Sequence, residues 1–467
     1  MSASDAGATR PQELVERALD ASTADECIVL VGAAHTVNMR WANNTLTTNG
    51  TTRSHDVTVV SIVNGSDGAR VASVGRSGVD ADGVAALARE SAAAAAESPA
   101  ADDAAPLERD RTGNDWDDAP ATTAVSDFAP VTEGLAAAFD AAARADEGRY
   151  GYAEHSMRTL YLGTSAGVRL RHVQPAARVE LTGRSADGTR SAWAGVSTGP
   201  ISAVDVAALE RDVAQRLEWS RRRVELPAGR YDTVLPPSAV ADLLIYMYWS
   251  MGAQDAFEGR SVFSRPGGGT RVGDALTSSP LTLRSDPSMP GQECEPFVAV
   301  GASSRESSVF DNGLPIEPTE WIADGRLRAL LQTRHSAATT GLPFTPGIDN
   351  LELVAGNGGG DVTDVVAGVD RGLLLTCLWY IREVDPQTLL LTGLTRDGVF
   401  LVENGEVVGV TNNFRFNESP VAILGRVAAA GATTNTLGRE WGDYFTRTRM
   451  PALRISGFNM SSVSQAS

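Results

Sequence analysis

Short segments rich in β-branched residues recur along most of this chain, and turns that contain glycine separate them. In the first hundred residues the stretches ECIVLVGAA, HDVTVVSIVNG and GARVASVG follow one another in this way. Val, Ile and Thr favour extended backbone, and Asn-Gly and Asp-Gly are strong turn signals. The pattern therefore predicts a strand-rich chain with helices added at intervals.

Helical segments flank the first group of strands. Residues 11–21 carry an apolar stripe at helical spacing, and residues 80–96 are rich in alanine. We therefore predict an N-terminal α/β domain over residues 1–96. Residues 97–127 are rich in Pro, Ala and Asp and nearly lack large apolar side chains, which predicts an extended linker or surface excursion. A disordered acidic interaction segment is the alternative.

Two further units follow this segment. Residues 128–226 predict a central α+β domain with two helices, over 132–145 and 204–222, and with strands near 150–161, 168–173 and 176–185. Residues 227–467 begin with a strand and a helix and then become dense in strands and glycine turns. That density predicts a β-rich C-terminal domain built on a curled or barrel-like sheet. The predicted fold class is α+β.

The charge of the chain limits its partners. The formal net charge is −18 over 467 residues, which argues against binding the phosphate backbone of nucleic acids. The sequence contains no lysine, so lysine chemistry is excluded. Three consecutive arginines at 221–223 could mark a nucleic-acid patch, but a solvated helix C-terminus is the better interpretation for so acidic a chain.

No segment of the sequence suits a membrane. The longest apolar run, over residues 372–381, is about half a membrane span. The N-terminal segment lacks the apolar core of a signal peptide. We therefore expect a soluble cytoplasmic protein that does not bind membranes.

Nucleophile motifs are weak. The three cysteines are far apart, so no disulfide framework or metal-binding Cys pair follows. Cys27 and Cys377 lie in apolar runs that predict buried thiols, and Cys294 lies between carboxylates that oppose a thiolate. Two Gly-x-Ser-x-Gly strings, at 163–167 and 195–199, lack the strand–turn–helix context of a serine nucleophile.

The five histidines are scattered, and the nearest two are 17 residues apart. A helix-borne zinc site needs two ligands about one turn apart on one face. No such spacing exists in the sequence, so it carries no simple zinc helix.

Several phrases, in their order and spacing, nevertheless resemble the TldD/TldE family, whose members are described as peptidases and as modulators of DNA gyrase (TldE is also called PmbA). The phrases are RWANNTLTTNG at 40–50, PAGRYDTVLPPSA at 227–239, EGRSVFS at 258–264, VFDNGLP at 309–315, RDGVFLVENGEVV at 396–408 and PALRISG at 451–457. The resemblance implies an N-terminal α/β region, a middle α+β region and a C-terminal β-rich domain.

The family has two kinds of subunit. The resemblance implies that a TldD-type subunit holds zinc through a His-Glu-x-x-x-His helix and a distant Cys, whereas a TldE-type subunit lacks that set and pairs with TldD. Aligned on the shared phrases, the His-Glu positions fall on Ser250 and Met251, the second His on Asp255 and the Cys on Leu437. A single carboxylate cannot make a three-ligand catalytic zinc site.

These residues predict a non-catalytic TldE-like subunit of a heteromeric TldD/TldE zinc metallopeptidase. It would hold no zinc itself, would pair with a zinc-bearing TldD-like subunit, and would help to guide an unfolded or leader-type peptide. Arg260, Asp311 and Asn312 lie in family-like phrases and are candidate contacts with the partner or the peptide. The alternatives are a stand-alone metallopeptidase with atypical ligands, and a non-peptidase binding or regulatory protein of the gyrase-modulator type.

Overall fold

The computed structural model describes residues 9–464 of the chain. Residues 1–8 and 465–467 lie outside the described residues. The N-terminal segment, for which no signal peptide is predicted, begins in the first of these two ranges. The described residues confirm the predicted α+β class. The curled sheet is formed by six strands between Glu26 and Thr198, and two further sheets, of six and ten strands, lie in the rest of the chain.

The first sheet contains six antiparallel strands and is curled into a half-barrel. Its spatial order is β3-β2-β1-β4-β5-β6, with bounds β1 Glu26–Ala42, β2 Thr45–Gly65, β3 Gly68–Ser77, β4 Glu147–Thr164, β5 Arg169–Ser185 and β6 Ser191–Thr198. β1 pairs with β4 from Ile28 opposite Thr164 to Trp41 opposite Gly151. The strands before and after residues 97–127 therefore form a single sheet.

Four helices cover one face of this sheet: α1 Pro11–Ala21, α2 Ala81–Glu97, α3 Ala129–Arg144 and α4 Val206–Trp219. Val29 and Val31 of β1 pack with α1 and α2, whereas Ile28 and Leu30 belong to a separate apolar cluster on the opposite face. Because both faces of the sheet are covered, this part of β1 is a continuous run of apolar residues and does not alternate between apolar and polar ones.

Residues 97–127 follow an extended path that is fastened to the sheet. The Ala121 amide donates to Thr159 Oγ1 at 2.9 Å, and the Thr123 amide donates to His35 Nδ1 at 3.0 Å. Leu107 is buried against the face of the sheet opposite the helices. The segment is therefore a surface excursion with its own contacts to the sheet.

The C-terminal half contains two sheets. One has the order β11-β10-β9-β12-β21-β20, and the other has ten strands in the order β14-β15-β18-β22-β8-β13-β16-β17-β7 with β19 beside β22. The strands are β7 Arg223–Val224, β8 Gly229–Leu235, β9 Leu281–Ser285, β10 Thr319–Ala323, β11 Arg326–Leu327, β12 Leu351–Ala355, β13 Arg371–Leu375, β14 Leu378–Asp385, β15 Leu390–Thr395, β16 Val399–Glu403, β17 Glu406–Thr411, β18 Phe414–Glu418, β19 Val427–Ala430, β20 Thr434–Thr436, β21 Thr448–Met450 and β22 Leu453–Val463.

Short helices connect these strands: α5 Pro237–Trp249, α6 Ala253–Phe257, α7 Arg334–Thr340, α8 Val362–Ala367 and α9 Pro420–Leu424. α5 begins with a proline at its first position, where the missing N–H costs nothing. It is apolar on almost every side and lies in the main core with residues of both sheets, such as Leu283 and Leu453. A helix without a polar face is stable only when it is surrounded in this way.

The two halves of the chain meet at the face of the first sheet that the helices leave open. Phe297, Val309 and Phe310 pack there against Leu30 and Leu160. Each helix between residues 9 and 464 is either too short or too polar to cross a lipid bilayer.

Candidate functional site

The positions that align with the zinc-binding helix of the resembled family lie at the end of α5 and beyond it. α5 ends at Trp249, so Ser250 and Met251 follow the helix, and Asp255 belongs to the separate helix α6. The Ser250 hydroxyl donates to the Tyr246 carbonyl at 2.9 Å, and Met251 is completely buried. These side chains therefore do not share one helical face, and two of them are used in the local structure.

Asp255 belongs to a four-residue charge network. Its Oδ1 accepts from Arg260 Nη2 at 2.9 Å and lies 2.8 Å from Arg305 Nε. The same two arginines also pair with Glu258. The carboxylate of Asp255, the one that remains at these positions, is therefore already neutralised by guanidinium groups. It is unsuited to binding a metal ion in addition.

Leu437, at the position of the family cysteine, is buried and packs near Gly195 and Gly442. The loop that carries it is attached to α5 through Asp242, whose Oδ1 accepts from the Glu440 amide at 2.9 Å. Burial raises the pKa of the Asp242 carboxyl well above its ordinary value. Leu437 is therefore an apolar core residue and offers no group that could bind a metal ion.

A zinc ion therefore does not fit the residues at these four positions. The hydroxyl at position 250 is hydrogen-bonded to its own helix, the thioether at 251 is buried, the carboxylate at 255 is paired with arginines, and position 437 is a leucine. A catalytic zinc site needs three free ligands. Over residues 9–464, no group of three or more His, Cys, Asp and Glu side chains is arranged to hold a metal ion.

The three predicted contact residues have different surroundings. Asp311 and Asn312 are both buried. Asp311 Oδ1 accepts from Arg334 Nε at 2.6 Å, and the Asn312 side chain exchanges two hydrogen bonds with the backbone of Val300, at 2.6 and 2.9 Å. These two residues shape the loop that packs on the first sheet. Arg260 is half exposed and is the one of the three that solvent reaches readily.

The structure brings together a different group of residues in a cavity between the two halves. The cavity has a volume of about 460 Å³. Leu30, Ser156, Arg158 and Gln174 line it from the open face of the first sheet, and the C-terminal half contributes Glu295, Asp349 and Arg447. Glu295 and Asp349 also line a neighbouring cavity of about 160 Å³, which Asp311 borders. The two carboxylates therefore stand between two cavities.

Parallel strand pairing places the central ion pair. Leu351 of β12 lies opposite Thr448 of β21, and this pairing brings Asp349, two residues before β12, close to Arg447, which directly precedes β21. Arg447 Nη1 is 2.5 Å from Asp349 Oδ2. About half of the Asp349 side chain (48%) remains accessible, because it faces the cavity although protein surrounds it.

The electrostatics of this cavity differ from those of an ordinary surface. Burial raises the pKa of Asp349 to about 6, Arg447 lowers it, and the neighbouring Glu295 raises it. Burial also raises the pKa of Glu295, against the effect of Arg158 and Arg447. Carboxyl groups with raised pKa values in a cleft are a frequent property of functional sites. Both carboxyl groups therefore hold a proton more tightly than free ones do, and in their ionised form they suit a cationic group.

The sequence reasoning did not select Glu295 or Asp349. Glu295 adjoins Cys294, for which the sequence predicts only that it is a poor nucleophile. That part of the interpretation is confirmed, because Cys294 is buried and burial, with Asp349, raises the pKa of its thiol to about 12. Cys27 and Cys377 are also buried, as predicted. The first Gly-x-Ser-x-Gly string lies at the β4–β5 turn, which confirms its rejection as a nucleophile.

Comparison with known families gives a match over the C-terminal half. Residues 228–462 match the model of the PmbA/TldA metallopeptidase C-terminal domain. No curated protein sequence matches the chain at a significant level.

Solved structures match nearly the whole chain. TldE from Thermococcus kodakarensis has a TM-score of 0.76 at 16% sequence identity, and the match covers 96% of this chain and 99% of that one. A proposed modulator of DNA gyrase from Bacteroides thetaiotaomicron has a TM-score of 0.75 at 14% identity, covering 97% and 98%. Another proposed modulator of DNA gyrase, from Thermotoga maritima, has a TM-score of 0.73 at 13% identity, and the match covers 96% of this chain and 99% of that one. At such identities the likeness shows the fold, and it confirms the implied architecture.

Proposed function

This chain belongs to the TldD/TldE (PmbA) metallopeptidase family, and we propose that it is the non-catalytic, TldE-like subunit of a heteromeric TldD/TldE zinc peptidase. One observation carries the proposal: each side chain at the zinc-site positions is already used within this chain. Ser250 bonds to its own helix, Met251 and Leu437 fill the core, and Asp255 is paired with arginines. Zinc and the general base would belong to a TldD-like partner.

The second part of the proposal concerns the peptide. Glu295 and Asp349 line both cavities: the larger one lies between the first sheet and the C-terminal half, and the smaller one lies within the C-terminal half. The cavities are large enough for side chains of an extended peptide, and their carboxylates suit basic ones. In this proposal the subunit helps to hold an unfolded or leader-type peptide for the partner, in the cytoplasm. Arg260 is the candidate partner contact that solvent reaches.

Co-expression tests this assignment. The probe is a TldD-type chain of the same organism, identified by an intact His-Glu-x-x-x-His motif. We expect a stable heteromer that cleaves an unfolded fluorescent peptide and that contains zinc only when the partner's motif is intact. Arg260→Gln in this chain should weaken the pair by about tenfold, because it removes an interfacial charge. Arg89→Gln, on the exposed side of α2, is the matched control.

The opposite result is equally clear. The purified chain alone would be stripped of metal, given zinc and assayed on the same peptide. Cleavage at a rate comparable to that of the pair would overturn the non-catalytic role. Failure to associate with any TldD-type chain, while the chain binds another protein stably, would favour the regulatory alternative instead.

A further inference from the structure

Four arginines converge in a cleft that none of the preceding sites includes. Arg190 directly precedes β6, Arg221 and Arg223 follow the end of α4, and Arg396 lies in the β15–β16 turn. These four residues define the arginine cleft, which has a volume of about 590 Å³. It lies where the first sheet and α4 meet the C-terminal half. Two of its members come from the Arg-Arg-Arg run noted in the sequence.

Such a concentration of positive charge is unusual for a chain with a net charge of −18. Two carboxylates also line the cleft, Asp187 and Asp397. Asp187 Oδ1 already accepts from the Ser185 hydroxyl at 2.5 Å and from the Thr189 amide at 3.0 Å. Asp397 accepts from the Ser191 hydroxyl. The lining therefore has two more positive than negative groups, and the carboxylates are partly engaged elsewhere.

Three of the guanidinium groups are available to a ligand. Arg221 and Arg223 pair with Glu218 and Glu225, and in both pairs each side chain is more than half exposed. Exposed pairs of this kind contribute little free energy, so a ligand can replace them. Arg396 comes no closer than 4.0 Å to the carboxylate of Asp397. Arg190, in contrast, is held by the Leu217 carbonyl at 2.9 Å and forms a fixed wall.

We propose that the arginine cleft binds a compact, doubly charged oxyanion of the phosphate type. Guanidinium groups present paired N–H donors that match phosphate oxygens. The hydroxyls of Thr189 and Ser220 border the same space but already donate to Asp187 Oδ1 and to the Arg216 carbonyl, so the arginines are the donors that the ligand meets. A dianion can replace the exposed carboxylates of Glu218 and Glu225 as the partner of Arg221 and Arg223 and can reach Arg396 as well. Apart from two glycines and Val410 the lining is polar, so the cleft offers little surface on which a base could stack.

A nucleic acid is the less favoured occupant. Its many phosphates would meet the repulsion of a strongly acidic protein, whereas a compact anion feels mainly the local arginines. Because the cleft joins residues of both halves of the chain, an anion bound there would also link α4 to the β15–β16 turn. Binding should therefore raise the unfolding temperature of the whole chain.

Isothermal titration of the full chain with inorganic phosphate at constant ionic strength tests the proposal. We expect saturable binding of one phosphate and a rise in Tm. Arg396→Gln should weaken binding by about tenfold, because it removes a charge-assisted contact, and Arg223→Gln/Arg396→Gln should weaken it further. Because the Arg396 side chain is 46% exposed and its ion pair with Asp397 is long, at 4.0 Å, its single variant should keep the fold. Arg89→Gln/Arg144→Gln, on exposed positions of α2 and α3, is the control with equal charge loss and should bind as the wild type does.

Several outcomes would overturn the assignment. One is the absence of saturable binding up to about 10 mM phosphate. Another is equal affinity in the cleft variants and the control. Acetate binding as tightly as phosphate would contradict the requirement for a dianion. A short single-stranded oligonucleotide that binds more tightly than phosphate, with the same loss in the cleft variants, would replace the compact anion by a nucleic acid.

Discussion

At the scale of single residues, Asp349 makes a specific prediction about pH. Its pKa is raised from 3.8 to about 6 in the folded chain, so the folded state holds this proton more tightly than the unfolded state does. The associated stabilisation is complete below the unfolded pKa and is lost as the pH rises through about 6. Asp349→Asn imitates the protonated form. The variant should therefore gain stability relative to the wild type between pH 4 and pH 7, by about 1 kcal/mol after allowance for solvent screening.

Urea unfolding of both proteins at several pH values measures this difference. The control is Asp140→Asn, because Asp140 lies on the exposed side of α3. Its stability difference from the wild type should stay constant over the same range. If the Asp349→Asn curve runs parallel to that of the wild type, the carboxyl does not titrate in the cavity as described, and its part in the proposed peptide chamber loses support.

At the scale of elements, the excursion over residues 97–127 depends on a few polar anchors. Thr123 Oγ1 lies 2.6 Å from His155 Nδ1 and 3.0 Å from Asp127 Oδ2, and the residue is buried. Thr123→Val keeps the shape of the side chain but removes the hydroxyl that forms hydrogen bonds with His155 and Asp127. We expect a loss of about 1–3 kcal/mol in the free energy of unfolding and faster hydrogen exchange over residues 119–128. The adjacent and exposed Thr122, changed to Val, should have almost no effect. Equal exchange in the two variants would contradict the anchoring role.

Local signals predicted the helices well because helices depend on nearby residues. The helix predicted over 11–21 has the same bounds as α1, and the alanine-rich helix is shifted by one residue. The strands predicted at 168–173 and 176–185 are instead one strand, β5. The strand contains Pro175 and continues through it, because β6 pairs with β5 only from Ala177 onward. Proline is tolerated where one edge of a strand is open.

The candidate site was less predictable than the helices. Glu295, Asp349 and Arg447 are far apart in sequence, and the parallel pairing of β12 with β21 brings the last two together. No spacing rule reveals a contact of that kind. The family-like phrases located Ser250, Met251, Asp255 and Leu437, but their contacts follow from tertiary packing: Asp255 pairs with Arg305, which comes from a distant loop.

At the scale of the whole molecule, the first sheet joins segments on both sides of residues 97–127, and its open face is closed by the C-terminal half. The contact rests on Phe297, Val309 and Phe310, which pack against Leu30 and Leu160. An apolar sheet face of this kind is unstable in water when uncovered. The two halves should therefore unfold together rather than in separate steps.

Phe310→Ala tests this coupling, because Phe310 is 1% exposed and lies between the halves. Removing a buried phenyl ring leaves a cavity and should cost about 3–5 kcal/mol. Calorimetry should show one transition that moves to lower temperature as a whole, since the first sheet and the C-terminal sheets lose the same contact. Phe257→Ala, which changes a side chain that is 39% exposed, should move it far less. A second transition that keeps the wild-type temperature in the Phe310 variant would show that one half folds independently, and the cavity that holds Glu295 and Asp349 would then lie between separable bodies.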